Sequence, residues 1–162
     1  MKYHFKLLSY VPLIIIFSLI IAFVFIKALL GDNFTGASLM LDFMAGFFLV
    51  FGGFKTIKLA AFAEAYGMYD VIAKKSKVYA YIYPFIEIGL GLAFLLRYEV
   101  ITAAWITLVL MLINSVGAYS GIRDKKVLMC ACLGSVFKLP MSFVSLGEDL
   151  LMAAMAFMII WG

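Results

Sequence analysis

The stretch LLSYVPLIIIFSLIIAFVFI, Leu7 to Ile26, decides the fold class. It carries no charged side chain. About 20 helical residues suffice to cross the roughly 30 Å apolar core of a bilayer. A basic start, Lys2 and Lys6, precedes it, as in a signal peptide. The run is longer than the roughly 7–15 apolar residues of a signal sequence, and no small-x-small cleavage site follows. It reads as a retained transmembrane helix, about Leu8–Leu30, with Pro12 early in it, where proline is tolerated.

Four further segments have the same character: about Leu39–Phe62, Val78–Leu96, Ile101–Ile122 and Ser142–Trp161. Pro84 falls inside the third segment of the chain and is expected to kink it. Of the 162 residues, 67% are hydrophobic, against about half in a soluble domain. Little chain is left for a soluble domain. The net charge of +4 would raise nucleic acid as a partner for a soluble protein. Here the charges lie in loops and read as topology signals, so the partner is the lipid bilayer and no nucleic acid is expected. The expected architecture is all-α: an integral membrane helix bundle. Residues 1–38 form an additional N-terminal transmembrane helix and loop, and residues 39–162 a four-helix membrane domain.

Basic loops alternate with poor ones. Lys2 and Lys6 precede the first helix, and Gly31–Ser38 has Asp32 but no Lys or Arg. Ala63–Lys77 has Lys74, Lys75 and Lys77. Arg97 and Glu99 cancel in the next turn, and Arg123–Pro140 has Arg123, Lys125, Lys126 and Lys138. Excess Lys and Arg marks the cytoplasmic side. A multi-pass protein of the inner (cytoplasmic) membrane follows, with the N-terminus and the 123–140 loop in the cytoplasm.

That loop holds the only two cysteines, Cys130 and Cys132, in the run Cys130-Ala-Cys-Leu-Gly134. A Cys-x-Cys spacing puts both sulfurs on one side of an extended or turning backbone. They can close a small, strained disulfide, and strained disulfides are comparatively oxidising. They can equally clamp a soft cation such as Cu(I), Zn(II) or Hg(II). Lys125, Lys126 and Lys138 favour the thiolate, the reactive form in both chemistries. The plainer reading is two small reduced side chains in a loop. Two thiolates do not complete a zinc site, which takes four ligands. A second copy in a homodimer would supply the other pair.

Glu87 stands near the middle of the third segment. A carboxylate at that depth costs about 2.5–3.5 kcal/mol on insertion scales, so it should face the bundle interior. Its natural partner is Lys55 or Lys58. Such a pair can relay protons or anchor a substrate, or it can simply fix helix packing. Glu148 and Asp149 open the last segment, where negative charge favours a helix N-terminus. Glu148, Met152 and Met155 share one helical face. With Met129 and Met141 they can line a soft-metal path, although such a stripe also serves as packing. Asn114 is expected to hydrogen-bond across the bundle. Glycines at 46, 52, 53, 89 and 91 should allow close helix approach. His4, the only histidine, lies at the N-terminus, so no His-dependent catalytic pair sits in the membrane.

The stretch Phe43–Phe48 through Gly52-Gly-Phe-Lys-Thr-Ile-Lys58 resembles a Gly-rich helix of DoxX-type membrane proteins. Pro84-Phe-Ile-Glu-Ile-Gly-Leu-Gly91 resembles the helix that follows it there. The Cys130–Gly134 loop, with Lys138-Leu-Pro140 and the last helix, is similar to the MauE branch of that superfamily. The resemblance covers about Met40–Trp161. It implies a DoxX-like four-helix core, Cys130 and Cys132 as a redox pair, and Lys55 and Glu87 as a buried polar pair. The implied role is thiol/disulfide chemistry with a thioredoxin-like partner, with a quinone as one conceivable electron acceptor. The alternative is soft heavy-metal transport or delivery, in exchange with a metal-carrier protein, using Cys130, Cys132, Met152, Met155 and Glu148. A third reading is a scaffold protein with inert thiols. The extra first helix and the cytoplasmic cysteines depart from a family role in disulfide formation for export, which needs outward thiols.

Overall fold

The computed structural model of the chain describes residues 2–31, 35–123, 129–130, 139–140 and 143–162, with the backbone alone for residues 2–10, 129–130, 139–140 and 144. The fold is all-α. Six helices run in order: α1 (Lys2–Leu30), α2 (Gly36–Ile57), α3 (Leu59–Tyr66), α4 (Lys77–Leu95), α5 (Val100–Arg123) and α6 (Phe143–Trp161). Two very short extended pieces, β1 (Met129–Cys130) and β2 (Leu139–Pro140), pair antiparallel, with Cys130 opposite Leu139. Among the described residues, four helices are long and apolar enough to cross a membrane: Val11–Leu30 of α1, then α2, α4 and α5.

Two differences from the sequence expectation matter. The helix of α1 starts at Lys2, so Pro12 lies inside it rather than near its start. The expected single helix Leu39–Phe62 is broken. Its chain leaves helical geometry at Lys58 (φ −128°, ψ 60°) and starts again as α3. One turn earlier the Thr56 hydroxyl donates to the Gly53 carbonyl at 2.7 Å, a back-bond that loosens a helical ladder. The break turns Phe62, Ala63 and Tyr66 onto α4, where they are buried. Much of the expected loop Ala63–Lys77 is therefore ordered structure. Asp70 organises its turn by accepting from the Ile72 and Ala73 amides at 3.0 and 2.7 Å.

Helix α2 packs along α4, α5 packs along α6, and α1 lies against α2. The core between them is aromatic and aliphatic: Phe47, Phe48 and Phe51 of α2, Phe94 of α4, Met111 of α5 and Met152 of α6 are buried. Two glycines let α2 and α4 meet closely. A Cβ added at Gly52 would stand 3.2 Å from the Pro84 carbonyl, and one at Gly91 only 2.8 Å from Leu49 Cγ. Gly46 gives the same clearance to Ile20 of α1, but Gly53 and Gly89 face open space and are not needed for contact. Helix α4 continues through Pro84.

At one end of the bundle Asp42 joins three elements. It accepts from Lys27 of α1 at 2.6 Å and from Arg97, after α4, at 2.8 Å. Arg97 has φ 56°, and the next amide, Tyr98, bonds back to Ala93 at 2.9 Å, closing α4 in a left-handed turn. Trp105 and Trp161 pack edge to face near that end, with ring centres 5.3 Å apart. The opposite end carries α3, the β1–β2 pairing, and the exposed Lys58, Lys74, Lys75, Lys77 and Arg123.

Candidate functional site

Close to the α3 end, the bundle interior is polar. Lys55 is the last basic residue of α2, placed there because α2 stops at Ile57. Its Nζ reaches both carboxylate oxygens of Glu87, at 2.6 and 2.7 Å. The two side chains are 8% and 2% exposed. Lys58, the other partner considered from sequence, is exposed at the helix break. Aromatic rings enclose the ammonium further: its nitrogen is 5.1 Å from the Tyr83 ring centre and 5.7 Å from that of Phe62. Such faces attract a cation held away from water.

A hydrogen-bonded chain leads from this pair towards α3. Asn114 of α5 donates its amide to the Tyr83 hydroxyl, and Tyr66 of α3 donates to the Asn114 carbonyl oxygen at 2.8 Å. Tyr66 and Tyr83 are also in ring contact, with centres 4.7 Å apart. Burial pushes the Tyr66 phenol far above its ordinary range, with Tyr83 adding to the effect, so Tyr66 keeps its proton and acts as donor. Thus α2, α3, α4 and α5 each contribute one or more groups to a single buried network.

Helix α6 adds acid. Glu148 is 7% exposed, and its Oε1 has no hydrogen-bond partner among the described residues. Lys55 is the cation that acts on both Glu148 and the half-buried Asp149. Glu148 and Asp149 therefore lie within electrostatic reach of the ammonium that Glu87 holds directly. Helix capping, the plainer reading of Glu148, does not describe this placement: α6 begins at Phe143, and Glu148 is past its first turn, as its distance beyond Pro140 in sequence suggests.

Met152 is fully buried in the apolar core, and Met155 is half-buried against it. The Glu148, Met152, Met155 face thus points inward, with both methionines among hydrocarbon. Among the described residues no three His, Cys, Asp or Glu side chains come together in a way that could hold a metal ion. Met129 is described by backbone alone, and Met141 lies outside the described residues.

Cys130 lies in β1, directly opposite Leu139 of β2. This pairing bounds the segment 131–138, which holds Cys132; Cys132 itself lies outside the described residues. β1 lies beside α3, the helix that carries Phe62 and Tyr66. The backbone at Cys130 therefore adjoins the element that caps the buried polar network.

Sequence reasoning did not single out Tyr66, Tyr83 or Asp42. Tyr83 was within reach, because it lies one helical turn before Glu87 on the same face. Tyr66 was hidden by placing it in a loop.

A family model described as methylamine utilisation protein MauE matches residues 33–162. No curated protein and no solved structure matches the chain. The matched region starts after α1 and takes in α2 to α6, the buried network and both cysteines.

Proposed function

Because this chain belongs to the MauE family, we propose that it is a membrane thiol/disulfide exchange protein whose Cys130 and Cys132 cycle between dithiol and disulfide. The partner is a thioredoxin-like protein. In each exchange a thiolate of the pair attacks the partner's disulfide and forms a mixed disulfide. The second thiolate then displaces the partner, which leaves as a dithiol. Two electrons pass to the partner, and the two protons released from the pair balance those taken up by the partner thiols. The reverse exchange restores the dithiol.

The observation that supports this reading is the position of Cys130. Cys130, one of the only two cysteines of the sequence, lies in the β1–β2 pairing, and β1 is beside α3, whose Tyr66 joins Asn114 and Tyr83 near the Lys55–Glu87 pair. The polar network offers proton-exchanging groups near a reaction that moves protons. Soft-metal delivery has less support, since Met152 is enclosed in the apolar core.

With α6 read as a fifth crossing, the basic residues at the α3 end favour a cytoplasmic side for the cysteine pair. There the pair would rest as a dithiol and donate reducing equivalents. The test is a trap. In Cys130→Ser or Cys132→Ser protein, one remaining thiol should hold a mixed disulfide with a thioredoxin-like protein, identified by mass spectrometry after non-reducing purification. Absence of any mixed disulfide from both single variants, with normal expression, would contradict the exchange.

A further inference from the structure

A cavity of about 650 Å³ lies between α3, the turn that follows it and the first turns of α4. Small residues, among them Ala60, Ala61 and Gly67, leave the room, and Glu64, Lys74, Lys77 and Tyr81 bring polar groups to its wall. The two lysines and Glu64 are exposed, and among the described residues none of the three is in an ion pair. Two ammonium groups against one carboxylate leave the cavity net positive. Lys77 is also the first residue of α4, where the helix dipole adds positive charge.

The place of the cavity decides which anion suits it. Helix α4 is long and apolar enough to cross a membrane, and its span starts at Lys77, so the cavity stands at the level of the lipid head groups. Tyr81 lies one turn further in on the same side as Lys77, with the amphipathic ring that favours this level. From Tyr81 an apolar track leads along α4 into the bilayer: Phe85 and Leu92 are exposed, and Gly89 between them faces open space. A soluble anion would use the cavity and leave the track idle. A phosphate head group on acyl chains uses both.

We propose that this cavity binds an anionic glycerophospholipid of the phosphatidylglycerol class. Its phosphate lies between Lys74 and Lys77, its head-group hydroxyls donate to Glu64, and its acyl chains follow Tyr81, Phe85 and Leu92. Glu64 supplies the selection: it repels a bare anion and accepts from a hydroxyl, so the ligand carries both groups. The volume is that of a small-molecule site. The buried side of α3 carries Phe62 and Tyr66, so a lipid bound between α3 and α4 braces the element that caps the polar network. The site stands independently of the thiol-exchange reading.

The test is native mass spectrometry of the full-length protein in detergent, titrated with dioleoyl phosphatidylglycerol. Saturable retention of one lipid per chain is expected, with phosphatidylcholine of the same chains held at least tenfold more weakly. Lys74→Gln with Lys77→Gln should weaken binding at least tenfold. Lys75→Gln removes a neighbouring charge that does not line the cavity and should leave binding unchanged. Ala61→Phe fills the cavity with every charge kept and should weaken binding several-fold. All four positions are exposed, so the lipid-free thermal midpoints should match wild type. Equal retention of phosphatidylcholine, an equal loss in Lys75→Gln, or binding that ignores both the lysine pair and Ala61→Phe would overturn the proposal. So would full competition by soluble glycerol 3-phosphate, which would assign the cavity to a free phosphate ester.

Discussion

Lys55 and Glu87 show how a residue-scale balance sets the site. Their attraction offsets the desolvation of both charges only because both are present and both carboxylate oxygens are used. Lys55→Met leaves Glu87 buried without its ammonium and should cost about 3–5 kcal/mol, read as a lower thermal midpoint in detergent. Lys55→Met combined with Glu87→Leu should regain most of that loss, since apolar replacement of a whole buried pair is often close to neutral. Additive losses in the double variant would show that the two residues act separately. The pair was legible in the sequence because a charge inside an uninterrupted apolar run has few places to go. Asn114 stood out for the same reason. Tyr66 and Tyr83 did not, because tyrosine is common at membrane interfaces and its burial depends on which way a helix turns. Asp42 was overlooked although it is 4% exposed; its partners Lys27 and Arg97 come from opposite ends of the first two-thirds of the chain and are brought together only by the fold.

At the scale of elements, the α2–α4 contact governs the spacing of the Lys55–Glu87 pair. Gly91→Leu would push a side chain into Leu49, whose Cγ lies 2.8 Å and backbone nitrogen 3.1 Å from the added Cβ. Overpacking of this kind costs about 1–3 kcal/mol. Gly89→Leu, one glycine away on the open face, should leave the thermal midpoint unchanged. Equal destabilisation by both would mean that these glycines serve the backbone and not the contact. Helix existence was readable from apolar run length, and α4 and α5 lie within about a residue of their expected bounds. The break at Lys58 was not readable. Hydropathy continues across Ile57 and Leu59, so no change of composition marks the point where the chain turns. What decides it is tertiary: the reward for laying Phe62 and Tyr66 over Tyr83.

Over the whole molecule, one end carries exposed basic residues, α3 and Cys130 in β1, and the other carries Asp42 with Lys27 and Arg97. This asymmetry predicts sidedness. An impermeant maleimide should label the native cysteines in inverted vesicles but not in intact cells. In a Cys130→Ser/Cys132→Ser background, Tyr98→Cys, exposed at the far end, should label in intact cells. The reverse pattern would place the thiols outside and mean that the first apolar segment had been given the wrong sense. The general plan, an all-α membrane protein of the MauE family, was legible because composition and the Cys-x-Cys loop are both local features of sequence. The central claim is that Cys130 and Cys132 form a working redox pair. The most direct measurement is a glutathione redox titration of the purified protein in nanodiscs, with the free thiols alkylated and counted by intact mass at each ratio. The account predicts one two-electron transition, from a chain carrying two alkyl groups to a chain carrying none, abolished by either Cys130→Ser or Cys132→Ser. Two alkyl groups on every chain at every ratio would contradict it.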